Sequence, residues 1–287
     1  MAAKKKKVAE PKEPSAQPVI KWAGGKRKLL PHILAKVPSK VGTYFEPFFG
    51  GGAVFFALLA KGARFEKAVL NDANSDLMEL YRVIQSPAVH DLIALLQTYP
   101  HTREFYDHLR MIVPRGLHSA TVRAARFMYL NRTGYNGLYR VNKKGEFNVP
   151  FGKYTNPTIC DEAGLLRAHR ALQGIELLSV DFTTSVAPAK TGDFVYFDPP
   201  YLPLNETSSF TAYTSGGFPI SDHRRLASIF FELGERGVSV LLSNSTATAV
   251  RRMYETATIE EVMAPRSINS KADKRGPIGE LLISMAV

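Results

Sequence analysis

Thr43-Tyr44-Phe45-Glu46-Pro47-Phe48-Phe49-Gly50-Gly51-Gly52 is the stretch from which the rest of the chain is read. Thr43 to Glu46 has the β-branched and aromatic content of a strand. Three glycines close it, and residues 53–59 continue as an apolar stretch of helical character. Glycines between a strand and a helix let the backbone approach a ligand at the carboxyl end of a parallel sheet. The next strand-like run, Ala68-Val69-Leu70, ends in Asn71-Asp72. A carboxylate about twenty residues beyond such a loop is placed to accept hydrogen bonds from ribose hydroxyls. No spaced G-x-G-x-x-G is present, because Ala53 follows the third glycine. Loop and acid together point to an adenosine-containing cofactor, with a dinucleotide and S-adenosylmethionine as equal candidates.

Further along, residues 75–130 read as helical material with charged faces. Residues 134–154 change character: two short alternating runs, Tyr135 to Val141 and Glu146 to Val149, flank Asn142-Lys143-Lys144-Gly145, the signature of a β-hairpin. Strand-like runs return at 176–179, 194–197 and 238–242, with a helical stretch at 222–236. Alternating strands and helices predict an α/β fold with a mostly parallel sheet. The helical and hairpin segment interrupts that alternation as an insert. The expected division is a basic disordered tail at 1–16, a catalytic domain from 17–84 and 170–287, and an insert over 85–169.

The run Phe194-Val195-Tyr196-Phe197 leads into Asp198-Pro199-Pro200-Tyr201, where a strand ends and a ligand crevice opens. The prolines stiffen the loop and carry no amide, so their carbonyls are free to accept. Asp198 and the Pro199 carbonyl together can take both hydrogens of an exocyclic amine, and Tyr201 offers a face for an unstacked base. This loop separates the two cofactors. It suits methyl transfer to an amine and has no use in hydride transfer by a dehydrogenase. Attack by the amine itself is expected, since no cysteine nucleophile is placed to attack a base.

The chain has 287 residues and a formal charge of +11. Ten Lys/Arg against three acids between 101 and 156 give +7, and the first sixteen residues add +3. Charge concentrated in one block suits binding to a phosphate backbone, and a non-catalytic DNA-binding module would account for that block alone. A lone cysteine, Cys160, excludes an internal disulfide framework and fits a reducing cytoplasm. No apolar run is long enough to span a bilayer, and the basic start is followed by no apolar signal region. No metal site is expected from the histidine spacing.

These motifs in this order resemble the Dam-type, D12-class DNA adenine-N6 methyltransferases, from about Val19 onward. The anchors are Lys21-Trp22-Ala23-Gly24-Gly25-Lys26, Glu46 to Gly52, Asn71 to Asp76, Asn136-Gly137-Leu138-Tyr139-Arg140, Glu146 to Gly152, and Asp198 to Tyr201. The resemblance implies a Rossmann-like S-adenosylmethionine methyltransferase sheet carrying an inserted helical and β-hairpin target-recognition domain. It implies Asp198, Pro199, Pro200 and Tyr201 as the catalytic loop. Trp22, Ala23, Gly24, Lys26, Glu46, Pro47, Phe48, Gly50, Gly52, Asp72, Asp181, Phe182 and Asp198 would form the S-adenosylmethionine site. Lys21, Tyr135, Asn136, Leu138, Arg140, Asn148, Pro150 and Lys153 would meet double-stranded DNA, with Arg140 reading a guanine and the target adenine, expected in GATC, flipped from the stack. Thr133 and Tyr139 depart from the Dam pattern. A monomer in the cytoplasm, associated with the nucleoid, is expected, and the sequence leaves open whether a companion restriction endonuclease exists.

Overall fold

The computed structural model describes residues 14–24, 26, 29–142, 144–204, 217–265 and 277–285; most of the expected tail at 1–16, together with Gly25 and Lys143, lies outside the described residues. Seven strands form one sheet: β1 (Val41–Glu46), β2 (Phe65–Asn71), β3 (Glu176–Leu178), β4 (Phe194–Phe197), β5 (Ser239–Ser245), β6 (Thr258–Pro265) and β7 (Pro277–Met285). Their spatial order is β3-β2-β1-β4-β5-β7-β6. The first five run parallel, and β7 lies antiparallel between β5 and β6. The five strands foreseen in the sequence all appear. The C-terminal pair β6 and β7 was not foreseen.

Around the sheet lie α1 (Leu30–Ala35), α2 (Ala53–Ala60), α3 (Ser75–Gln85), α4 (Val89–Thr98), α5 (Arg103–Met111), α6 (Ala120–Thr133), α7 (Glu162–Ala171), α8 (Phe182–Val186), α9 (Ile220–Glu235) and α10 (Thr248–Met253). Strand alternation sorts the core into two layers. Tyr44, Phe194, Tyr196 and Leu241 face a layer shared with α1 to α7, while Phe45, Val195, Phe197 and Leu242 face one shared with α8 to α10. All four residues of β4 are buried, as expected of a central parallel strand covered on both faces. No helix among the described residues is long and apolar enough to cross a membrane.

Chain order reverses beside the β1–β4 pair, so the loops leaving those two strands bound one crevice. Asn71, buried at the end of β2, ties neighbouring loops together. Its Nδ2 donates to the carbonyls of Pro47 (3.0 Å) and Val180 (3.2 Å), and its Oδ1 accepts from the Val180 amide (2.9 Å). Helix α3 starts beside it, capped by the Asn74 side chain on the Leu77 amide.

The segment 85–169 packs its Val89, Leu92, Tyr106, Phe127 and Leu165 side chains into the same cluster as Tyr44 and Leu70 of the sheet. Residues 85 and 169 lie within α3 and α7. The hairpin is shorter than its sequence suggests. Tyr135-Asn136-Gly137 forms a 3-10 turn, with Asn136 at φ +54° and Gly137 at φ +64°, in place of strand. A Cβ at Gly137 would lie 2.5 Å from Lys21 Cδ, so glycine is what lets this turn close on the N-terminal segment. Strand-like pairing is reduced to two isolated antiparallel bridges, Gly134 opposite Phe151 at the base and Val141 opposite Phe147 beyond it, the latter flanked by Asn148 N–H donating to the Arg140 carbonyl (3.0 Å).

Candidate active site and nucleic-acid surface

A cavity of about 1030 Å³ opens at the carboxyl ends of β1, β2 and β4. Of the residues expected around a cofactor, Trp22, Ala23, Gly24, Lys26, Glu46, Pro47, Phe48, Gly50, Asp72, Asp181 and Phe182 all line it, as do Asp198 to Tyr201. Gly52 does not. It sits at the N-terminal cap of α2, where it shapes the loop from behind. A Cβ at Gly50 would come within 2.7 Å of the Trp22 ring, so this glycine is what brings the loop against the indole.

Asp198 is the most constrained group. Its Oδ1 accepts from Lys26 Nζ (2.8 Å) and from Ser243 Oγ (2.8 Å), and Ser243 in turn meets the Tyr196 hydroxyl at 3.0 Å. Among the described residues no hydrogen bond reaches Oδ2. Burial pushes the carboxyl above its ordinary pKa, and the Lys26 ammonium and Ser243 hydroxyl pull the other way. Lys26 also donates to the Gly24 carbonyl (2.8 Å) and lies 4.6 Å from the Tyr201 ring centre. The Tyr201 hydroxyl donates to Glu280 of β7 at 2.7 Å. Downstream, the Leu202 amide donates to Asn244 Oδ1 (3.1 Å) and its carbonyl accepts from Ser245 Oγ (2.6 Å). Ser243, Asn244, Ser245 and Glu280 were missed in the sequence. A signal was there for the first three: a polar Ser-Asn-Ser closing an otherwise apolar strand, buried at that. Glu280 left none.

Four further acids line the cavity: Glu46, Asp72, Asp181 and Asp222. Glu46, 3% exposed, accepts from the Tyr44 hydroxyl at 2.7 Å, and burial pushes its pKa up to about 8. Asp72 accepts from the amides of Gly50 and Asn74, both at 2.9 Å, so it fixes the glycine loop from below. Burial raises its pKa against those two bonds. At the far end Phe48, Phe182 and Phe218 cluster with ring centres 5.4 to 5.8 Å apart. Asp181, beside them, is exposed and already engaged. Its Oδ1 accepts from Thr183 and Arg225, and Arg225 reaches both of its oxygens. The expected S-adenosylmethionine fits this lining. Five acids, Glu46, Asp72, Asp181, Asp198 and Asp222, line it against Lys26, already committed to Asp198, and Lys61. A bound sulfonium would favour the ionised form of the acids nearest it, and the aromatic end suits a purine.

The expected DNA-contacting residues gather elsewhere, and none lines the cavity. Tyr135, Asn136, Arg140, Asn148, Pro150 and Lys153 are exposed on the hairpin or just beyond it. Lys21 joins them, its Nζ donating to the Tyr154 hydroxyl (3.2 Å) and its backbone bound on both sides by Asn131. Leu138 is half-buried against the core. The basic block is thinner than its composition implied. Arg126 is 3% exposed and donates to the Leu109 and Arg110 carbonyls at the end of α5, Arg132 donates to the Val19 carbonyl, and Arg123 grips Glu79 of α3. These arginines tie α6 to α5, to α3 and to the N-terminal segment. Tyr139, a departure from the Dam pattern, stacks on Phe127 (4.4 Å) and Trp22 (5.9 Å) and donates to Asp76, joining hairpin to cavity wall.

Residues 22–268 match the family described as D12 class N6 adenine-specific DNA methyltransferase. A Type II methyltransferase of Lactococcus lactis is 43% identical over 275 residues, covering 93% of this chain and 95% of its own. One from Methanocaldococcus jannaschii is 42% identical over 284 residues, covering 93% and 98%. The DNA adenine methylase of Escherichia coli is 38% identical over 266 residues, covering 92% and 93%. The match takes in both the cavity and the hairpin, and on it the chain belongs to the D12 class of N6 adenine-specific DNA methyltransferases.

Proposed function

We propose that Asp198 to Pro200 hold the amine of an adenine flipped out of duplex DNA, and that the hairpin selects this adenine within GATC. S-adenosylmethionine, the methyl donor of this family, supplies an activated methyl on a sulfonium. Trp22, Lys26, Glu46, Phe48, Gly50, Asp72 and the Phe182 end would hold it. The observation that carries this reading is the division of labour on Asp198: Lys26 and Ser243 both occupy Oδ1. Oδ2 is then the acceptor for one N6 hydrogen, and the Pro199 carbonyl takes the other. With both hydrogens engaged, the nitrogen pyramidalises and its lone pair is directed rather than spread into the ring. The protein supplies alignment and fixed electrostatics, the main needs of a reaction with an activated donor.

Flipping is supported by accessibility, because a base inside a duplex cannot enter a crevice at the end of a sheet. The cavity volume, at the top of the range for single small-molecule sites, leaves room for a base beside a cofactor. We assign residues 85–169 as the recognition insert. Tyr135, Asn136, Arg140, Asn148, Pro150 and Lys153, all exposed, are its DNA face, with the half-buried Leu138 among them and the exposed Lys21 of the N-terminal segment beside them. Most of these fall at Dam-type motif positions. The two Type II relatives support a protective role beside a companion restriction endonuclease.

The test is to methylate a plasmid with purified protein and map N6-methyladenine by sequencing. Modification at GATC alone is expected. Modification confined to another motif rejects the target, and its absence from every context rejects the placement of the amine at Asp198.

A further inference from the structure

The geometry points to Asn148 as a positioning residue that presents the outer edge of the Arg140 guanidinium to a base. This rests on the reading of Arg140 as a guanine contact. Along the hairpin, Tyr139, Phe147 and Val149 turn inward and are buried, while Arg140 and Asn148 are exposed and face each other across the strands. Their backbones are joined by the Asn148 amide on the Arg140 carbonyl (3.0 Å). On the outer face Arg140 Nε donates to Asn148 Oδ1 at 2.7 Å, and Nη2 donates to the Asn148 carbonyl at 3.3 Å.

A guanidinium carries five N–H groups in a rigid plane. Nε and the near hydrogen of Nη2 form one edge, and Asn148 takes that edge. The remaining hydrogens of Nη1 and Nη2 form the end-on edge, the fork that fits O6 and N7 of guanine. A free arginine samples many rotamers, and one tethered along its side edge has already lost them before it meets DNA.

The identity of the holder matters as much as its reach. The acid on the hairpin arms, Glu146, is drawn to Asn142, whose Nδ2 donates to Glu146 Oε2 at 2.7 Å. Arg140 is therefore held by a neutral amide oxygen and a carbonyl, with no carboxylate ion pair among the described residues. Its full positive charge stays available to a polyanion. An aspartate at 148 would hold the same edge while cancelling that charge.

The test uses the full chain and a set of duplexes that carry the preferred site or single base-pair changes to it, read as kcat/KM for methylation. Arg140→Ala should relax discrimination at one base pair by about 5- to 150-fold. Asn148→Ala should relax it at the same base pair by about two- to tenfold and leave the other positions unchanged. Asn148→Asp should restore that preference while binding every duplex more weakly. If Arg140→Ala relaxes no base pair, the guanine reading fails and the inference with it. If Arg140→Ala relaxes one base pair but Asn148→Ala spares it, or weakens all duplexes equally, the positioning role is overturned and the Arg140 reading stands.

Discussion

Asp198 in the cavity and Arg140 on the hairpin are both charged groups proposed to face the substrate, and the molecule fixes them by opposite means. Asp198 sits at the end of a buried central strand, held by Lys26 before β1 and Ser243 on β5, each itself anchored. Arg140 stands on an exposed ribbon with only two isolated bridges among the described residues and is held by its cross-strand neighbour. Under the proposed roles, chemistry rests on long-range contacts that the sheet must deliver, and recognition on local contacts that a few residues deliver alone. Substitutions in the first region should change turnover, and those in the second should change affinity or preference.

Asp198→Ala is the most severe test of that division. It removes the proposed acceptor, so single-turnover methylation should fall about 10²- to 10³-fold, while DNA binding by fluorescence anisotropy stays near wild type. An equal loss of binding breaks the comparison. Ser243→Ala should follow, lowering kcat about tenfold through loss of a hydrogen bond to a charged group. That bond lowers the Asp198 pKa against burial. Its loss raises the pKa further, so the acid limb of the kcat profile should move to higher pH. An unmoved limb would mean that Ser243 only packs.

Glu46→Gln sharpens the comparison from the side of stability. Burial pushes the folded carboxyl up to about 8 from 4.5 for a free one. Between those values the cofactor-free folded state keeps a proton that the unfolded state has released. Stability should therefore fall as pH rises through this window, by up to about 1.4 kcal/mol per pH unit. Glutamine cannot titrate, so denaturant melts of the variant should show a flatter dependence. The smallest effect belongs to Lys153→Ala. Losing one phosphate contact should reduce the slope of log K against log salt by about 0.9, with kcat unchanged.

Local features were legible in the sequence. The glycine loop, the acid ending β2 and the buried run before Asp198 each declare themselves within ten residues, and all reach the same cavity. Pairings set by strand register were not legible. Ser243 meets Asp198, and Glu280 meets Tyr201, because β5 lies beside β4 and β7 beside β5. Nothing within 75 residues of Tyr201 announces that partner. Composition misled where charge is structural: Arg123, Arg126 and Arg132 count toward a basic block, yet they bind Glu79 and backbone carbonyls inside the fold. The hairpin was read as longer than it is because Tyr135-Asn136-Gly137 alternates like a strand, while the chain there takes a turn with left-handed Asn136 and Gly137, packed too close to Lys21 for a Cβ at 137.

The place of β7 has a consequence for biosynthesis. Last of the seven strands to leave the ribosome, it enters the sheet between two strands made before it. Until it emerges, β5 and β6 have no strand to join them, and the Tyr201 hydroxyl has no Glu280. Domains tend to fold from the N-terminus during synthesis, but this sheet cannot be finished in that order. The pairings among β1 to β4 do not involve β7, so they can form before the loop after β4 gains its Glu280 contact. The Tyr201–Glu280 contact should thus wait for β7, which brings the edge strand β6 onto the sheet with it.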